Sequence, residues 1–337
     1  MESKKYSIRI NDGERTFFAP TGESLLSVLF KNGILVPSAC GGNGRCGFCR
    51  VKITEGAPDF TDSERSLISE SDRLHRVHLS CQVRIESDLK IELPASTLKA
   101  KRFSGILEEK LPLTSDIVGL RIRLVNPEAI AFISGQYIQL RSPMYDGRES
   151  SIRAYSIASP PSDKNYVELN IRLVPNGLCT TWIFQHLQAG KKINLTGPYG
   201  DFHLSESSAP AIFIAGGSGM APFHSILRDM EERKIRRDVA FFFGARTQAD
   251  LFYVDELNRF MQENPWFRFI PALSNEPEDS DWKGERGLIT DVVARYFPDC
   301  SKYEAYLCGS PGMIDSCLKV LTRGGMQKDN IYYDKFA

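Results

Sequence analysis

The chain has 337 residues, 42% of them hydrophobic, and its 42 Lys plus Arg are balanced by 42 Asp plus Glu. That length calls for two or three compact units, each burying its own core, and a net charge of zero offers no broad positive field, which excludes nucleic acid as a partner. The opening MESKKYSIRINDGERTFF lacks the apolar run of a signal peptide, and no uncharged apolar stretch of about 18 residues follows, so a cytoplasmic protein with no membrane span is expected.

At the start, Tyr6, Ile8 and Ile10 alternate with polar residues. Asn11-Asp12-Gly13 then supplies a turn before Thr16-Phe17-Phe18, which predicts a β-hairpin. Leu25, Leu26, Leu29 and Phe30 recur at helical spacing after Ser24, and Gly33 is placed to end that helix. Further strands are expected at Arg50–Ile53, at Val83–Ile85 and towards Ile91–Pro94, closing a first domain at residues 1–95. Residues 96–102 are polar and basic and read as a linker. In residues 103–208 strands predominate, at Ile117–Val125, Gln136–Leu140, Ala154–Ile157 and Val167–Val174, with one helix over Thr180–Leu187. Turn clusters at that spacing predict a small antiparallel β-barrel. From residue 209 to 337 strand and helix alternate, beginning with the apolar Ala211–Ala215 and the helix Phe223–Glu232 and ending with Ala305–Cys308 and Met313–Leu321. That rhythm predicts a parallel sheet in an α/β domain with helices on both faces. The fold class is thus multidomain, α+β followed by α/β.

Three of the eight cysteines lie in Cys40-Gly-Gly-Asn-Gly-Arg-Cys46-Gly-Phe-Cys49, and Cys81 follows. Four thiolates, three on one glycine-rich loop, suit an iron–sulfur cluster, because small residues let backbone N–H groups approach the sulfurs. A zinc staple is the alternative, for which paired C-x2-C knuckles would be expected and only one is present. On these residues the first domain resembles a β-grasp ferredoxin of the single [2Fe–2S] type, with Cys40, Cys46, Cys49 and Cys81 as ligands. Its C-x5-C-x2-C spacing departs from the plant-type C-x4-C-x2-C. The longer loop resembles the ferredoxin domain of the NADH-oxidising subunit of the sodium-pumping NADH:quinone oxidoreductase.

In the barrel, Arg153-Ala154-Tyr155-Ser156 lies on a predicted strand, where alternation puts Arg153 and Tyr155 on one face and Ser156 on the other. A cation, an aromatic ring and a hydroxyl so arranged suit a flavin, although an ordinary half-buried strand is the plainer reading of those four residues. Gly177-Leu-Cys-Thr180-Thr181 leads into a helix whose N-terminus suits phosphate. Gly197-Pro-Tyr199-Gly200-Asp-Phe202 and the α/β domain come next, and in that order the set resembles the ferredoxin–NADP reductase superfamily over residues 103–337. The resemblance implies that Arg153, Ala154, Tyr155, Ser156, Gly177, Thr180 and Thr181 bind FAD.

After Ala211–Ala215, Gly216-Gly217-Ser218-Gly219-Met220 opens a helix. It is either a tight strand-to-helix turn or a turn whose N–H groups meet a dinucleotide pyrophosphate. Cys308-Gly309-Ser310-Pro311-Gly312 repeats the arrangement, and in the superfamily this segment lies beside the nicotinamide, which makes Cys308 and Gly309 site residues. The cofactor choice turns on Arg246, suited to a 2′-phosphate, and Asp250, suited to a free ribose hydroxyl. NADH is expected, with NADPH the alternative. The superfamily resemblance further implies that the terminal aromatic, Phe336, covers the flavin and yields to nicotinamide, and that Ser156 and Cys308 position the reactants.

The whole chain resembles a fused ferredoxin and flavin reductase of the kind that feeds bacterial mono- and dioxygenases. The resemblance implies electron flow from NADH to FAD to [2Fe–2S] to an acceptor protein, an oxygenase, hydroxylase or other metalloenzyme. Other readings are a soluble relative of the sodium-pump subunit, since the opening carries no membrane helix, and a reductive activator of a metal or corrinoid centre.

Overall fold

Alternation at Tyr6, Ile8 and Ile10 does produce the hairpin: in the computed structural model, which describes residues 4–335, β1 (Lys5–Ile10) pairs antiparallel with β2 (Arg15–Pro20). The next helix, α1 (Leu25–Lys31), starts where the Ser24 hydroxyl accepts a hydrogen bond from the Ser27 N–H, and it buries Leu25, Leu26, Val28 and Leu29. β3 (Arg50–Glu55), α2 (Asp62–Leu67), α3 (Glu70–Leu74), β4 (Val77–Leu79) and β5 (Leu89–Glu92) complete a sheet of order β2-β1-β5-β3-β4. β1 and β5 run parallel at its centre with α1 packed on the shared core, the β-grasp arrangement.

One expectation needs correction here. Val83–Ile85 is not a strand: the Val83 carbonyl accepts from Leu25 N–H and the Ile85 N–H donates to Glu23, so these residues are spent on the lead-in to α1 with a single bridge, Ser24 to Arg84. The polar stretch after Pro94 holds a short helix, α4 (Ala95–Lys99), before β6 (Lys101–Pro112) begins.

β6 is followed by β7 (Ile117–Asn126), β8 (Tyr137–Arg141), β9 (Ile152–Ser156), β10 (Tyr166–Arg172), α5 (Leu178–Gln185) and β11 (Lys192–Tyr199). Their order, β10-β7-β6-β11-β8-β9, is that of a six-stranded antiparallel barrel. A bridge between Ile157 and Leu169 and the hydrogen bond from Ala158 N–H to the Glu168 carbonyl bring its two ends nearly to closure.

The last part contains β12 (Ala211–Gly216), α6 (Met220–Glu232), β13 (Val239–Ala245), α7 (Val254–Glu263), β14 (Phe267–Leu273), β15 (Glu285–Arg286), α8 (Ile289–Tyr296), β16 (Glu304–Gly309), α9 (Pro311–Arg323) and β17 (Ile331–Lys335). Neighbouring strands in the sheet β15-β14-β13-β12-β16-β17 all run parallel. Phe213, Phe223 and Phe241 form the core on one face, and Ile212, Phe242 and Leu307 on the other, which explains the near-continuous apolar strands. The order reverses at β12, so a crevice is expected beyond the carboxyl ends of β12 and β16.

By packing, the described residues fall into two units. One takes those up to Ser104 with Tyr137–Ala154 and Ile193–Tyr199; the other takes Gly105–Gln136, Tyr155–Lys192 and those from Gly200 on.

One buried charge secures the approach to Cys81. Glu64 on α2 is 1% exposed and accepts from the N–H groups of Thr61 (2.8 Å) and Leu79 (2.9 Å), with His78 Nδ1 at 3.1 Å. Burial alone would raise its pKa, but His78, Thr61 and Leu79 together hold it below the ordinary value. Glu64 therefore stabilises the fold above the ordinary glutamate range, and that contribution is lost as pH falls through its lowered value. Glu64→Ala is expected to cost about 3 kcal/mol by leaving these donors buried and unpaired. Urea unfolding at pH 7 checks this, and a loss well under about 1 kcal/mol would show the network to be dispensable.

Candidate functional site

The cluster loop is built on backbone that only glycine adopts freely. Gly41, Gly42, Gly44 and Gly47 all have positive φ, between 64° and 89°. At Gly44 a Cβ would also lie 2.6 Å from Nε2 of Gln82 and push aside the atom that donates to Cys81 Sγ at 3.5 Å.

The loop brings its four cysteines together as two interacting pairs, Cys40 with Cys46 and Cys49 with Cys81. The first pair is partly exposed and the second buried. Burial opposes ionisation of Cys40, yet hydrogen bonds from backbone groups of Arg45, Cys46 and Asn43 and from the Cys46 thiol hold its pKa below the ordinary value. Burial pushes Cys46 up. Cys49 is raised by its hydrogen bond to Cys81 and by burial. Cys81 is lowered to about 6 by Cys49 against the opposing effect of burial, with help from Gln82 and the Gly44 backbone. Among the described residues no three His, Cys, Asp or Glu side chains converge as ligands of a single ion. Two thiolate pairs with backbone N–H groups aimed at sulfur suit two irons, each taking one pair.

On β9, Arg153 is exposed and donates to the Ile152 carbonyl at 2.7 Å, Ala154 and Tyr155 are partly covered, and Ser156 is 3% exposed. The Ser156 hydroxyl is buried with no hydrogen-bond partner. An unpaired buried hydroxyl is costly and fits a site that a polar cofactor edge completes. Gly177 caps α5. Thr180 is occupied locally, its hydroxyl accepting from Val174 N–H and lying 3.3 Å from the Val174 and Gly177 carbonyls, so it shapes the turn more than it reaches a ligand. The Thr181 N–H donates to the Gly177 carbonyl at 2.8 Å.

At the carboxyl ends of β12 and β16 the two glycine turns meet. Gly216–Gly219 passes into α6 at Met220, which is fully buried, while Gly217 and Ser218 stay partly exposed. Gly219 lies so close to the Cys308 carbonyl that a Cβ would be 2.2 Å from its oxygen. Gly309 follows Cys308 with φ 155°. Cys308 is 0% exposed, and burial, helped by Asp334, pushes its thiol well above the ordinary value, so it stands there as a neutral group. Arg246 is exposed just past β13, and Asp250 caps its own turn, its Oδ2 accepting from Thr247 N–H at 2.9 Å and from the Thr247 hydroxyl at 3.0 Å. That oxygen is therefore already committed within the protein. Phe336 lies outside the described residues.

The chain matches the 2Fe-2S iron-sulfur cluster binding domain over residues 8–86, the oxidoreductase FAD-binding domain over 104–204 and the oxidoreductase NAD-binding domain over 213–319. A subunit of the Na(+)-translocating NADH-quinone reductase of Serratia proteamaculans is 32% identical, across 98% of this chain and 91% of that protein. The corresponding protein of Pseudomonas aeruginosa is 31% identical, across 100% and 92%. Among solved structures, a cytochrome P450 reductase of Amycolatopsis superposes with a TM-score of 0.79 at 29% identity over 98% of both chains. The ferredoxin reductase of carbazole 1,9a-dioxygenase superposes with 0.72 at 27% identity over 99% of both.

Fold and site together define an oxidoreductase that joins a [2Fe–2S] ferredoxin domain to FAD- and NAD-binding domains. The chain belongs to the family of these Na(+)-translocating NADH-quinone reductase subunits. It moves electrons from NADH through FAD to the [2Fe–2S] cluster and on to an electron-acceptor partner.

One residue of the site escaped the sequence reading. Asp334 on β17 stands in register with Cys308 on β16, and burial raises its pKa from 3.8 to about 6. The available signal was a lone carboxylate following the apolar and aromatic Ile331-Tyr332-Tyr333 near the end of a parallel strand. Because the folded pKa is raised, the protonated form favours folding: the contribution is full below pH 3.8 and is lost as pH rises through about 6. In Asp334→Asn the melting temperature relative to wild type should therefore be higher at about pH 7 than at about pH 4. A difference independent of pH would mean that Asp334 titrates normally.

Proposed function

We propose that this chain is a cytoplasmic, NADH-preferring reductase whose acceptor is the metal-containing component of an oxygenase or hydroxylase. The observation that carries a protein acceptor is the asymmetry of the cluster loop: Cys49 and Cys81 are buried, whereas Cys40 and Cys46 reach the surface, leaving one edge of the cluster open to a docking protein. The oxygenase class is supported by the two solved structures that match nearly the whole chain, a cytochrome P450 reductase and the reductase of a carbazole dioxygenase. Among the described residues no helix is long and apolar enough to cross a membrane. The second reading, an acceptor like that of the sodium-pump subunit, is favoured by the 32% identity to that family.

In this reading the domains divide at residues 1–95, 103–208 and 209–337 around a connecting segment at 96–102. Flavin takes two electrons as hydride from nicotinamide and releases them singly, which matches a cluster that accepts one. Arg153 and the N-terminus of α5 would hold its pyrophosphate, with Ala154 and Tyr155 against the ring and the unpaired Ser156 hydroxyl towards its polar edge. Backbone N–H groups of Gly216, Gly217, Ser218, Gly219 and Met220 would receive the NADH pyrophosphate. Cys308 and Gly309 would form the wall beside the nicotinamide, the neutral thiol contributing shape.

Cys46→Ser is expected to abolish the electron paramagnetic resonance signal of the reduced cluster while NADH still reduces FAD within about two-fold of the wild-type rate. Loss of flavin reduction in the folded variant would refute this modular division. Cofactor choice is tested by kcat/KM, expected to favour NADH over NADPH by about ten-fold or more. A preference for NADPH that Arg246→Ala reverses would instead assign Arg246 to the 2′-phosphate.

A further inference from the structure

The cluster loop touches barrel strand β8 on both of its flanks. Phe48, between Cys46 and Cys49, packs on Tyr137 with ring centroids 6.2 Å apart. Tyr137 packs in turn on Tyr199 at 5.6 Å, and Tyr199, 1% exposed, closes a small core with Leu35 and Ala100. On the other flank Ser38, two residues before Cys40, donates its N–H to Oε1 of Gln139 at 3.4 Å. Both residues are more than nine-tenths buried, and neither the Ser38 hydroxyl nor the Gln139 amide nitrogen is engaged elsewhere. Tyr137 and Gln139 are two apart on β8 and so share one face of the strand. β8 is the direct neighbour of β9, which carries Arg153–Ser156.

We infer that Tyr137 and Gln139 form a seat for the cluster loop, holding Phe48 and Ser38 one strand away from the flavin-binding strand, and that this seat sets the rate of flavin-to-cluster electron transfer. The inference rests on the assignment of β9 to FAD made above. In the step concerned no bond to carbon forms or breaks: reduced flavin loses one electron, the oxidised cluster gains one, and this occurs twice per NADH with flavin protons released to solvent. Tyr137 and Gln139 are positioning residues, because they act through the loop and not on the reacting atoms. The requirement is geometric, since small displacements of reacting partners carry large rate penalties.

The test is stopped-flow reduction of the fully loaded protein by NADH, read separately at flavin and cluster wavelengths. Tyr137→Leu is expected to keep the flavin step within about two-fold of wild type and to slow cluster reduction about ten-fold or more, with Tyr137→Phe restoring it. Hydrogen exchange of residues 34–48 should rise in Tyr137→Leu and in Gln139→Leu, while the reduced-cluster resonance spectrum stays unchanged. Should Tyr137→Leu fail to fold, Phe48→Leu removes the same contact from the other side. Cluster reduction at the wild-type rate in a loaded variant lacking the Phe48–Tyr137 contact overturns the seat, as does unaltered exchange. Failure of NADH to reduce the flavin of the wild-type protein would instead overturn the assignment on which the seat depends.

Discussion

Helix α6 is fastened to the barrel along one side, and the nicotinamide end of the molecule depends on that attachment. The Ser225 hydroxyl donates to the Ser159 carbonyl at 2.7 Å, Arg228 pairs with Glu168 at 2.8 Å, and Asp229 accepts from the Ser134 hydroxyl at 2.8 Å. Glu168 is also paired with Arg121, and at the start of α7 Tyr253 donates to Asn170 at 3.1 Å. Residues 225, 228 and 229 share one helix face, so a single surface carries all three contacts. These bonds are largely buried, where a hydrogen bond is worth more and a misplaced partner costs more than at the surface. They fix the glycine turn at the start of α6 relative to the strand that leaves Ser156 three residues before Ser159.

The other end of the electron path is governed by backbone and not by packing. A loop that aims its N–H groups at sulfur must turn repeatedly through left-handed conformations, which is why glycines alternate with cysteines from Cys40 to Cys49. The sulfurs of Cys40 and Cys81 are the two whose pKa values fall. Glu64 contributes from a distance by anchoring Leu79, two residues before Cys81. The second pair is buried and the first is partly exposed.

Much of this was legible in the residues because the relevant signals are local. Period-two alternation in Tyr6–Ile10, the continuous apolar run Ala211–Ala215 and the cysteine spacing of residues 40–49 each report their own environment. Gly216–Gly219 likewise announced a turn, although its near-contact with the distant Cys308 carbonyl did not appear in any spacing. The helices α2 and α3 were missed because Asp62–Leu74 is short and mostly polar, and its anchoring depends on Glu64 finding partners fifteen residues away. Val83–Ile85 misled for the opposite reason: its apolar pattern is that of a strand, but its backbone partners belong to the lead-in of α1.

The sequence by itself therefore determined the cysteine spacing, the order of the three domains and the kind of chemistry, since each rests on residue type and on distances of a few positions along the chain. Only the tertiary structure decided that the cysteines come as two pairs, that the Ser156 hydroxyl is left unpaired, that Asp250 is committed to its own turn and that Asp334 faces Cys308. The physical reason is that burial, pairing and pKa belong to the space around a group, and that space is furnished by strands far apart in sequence.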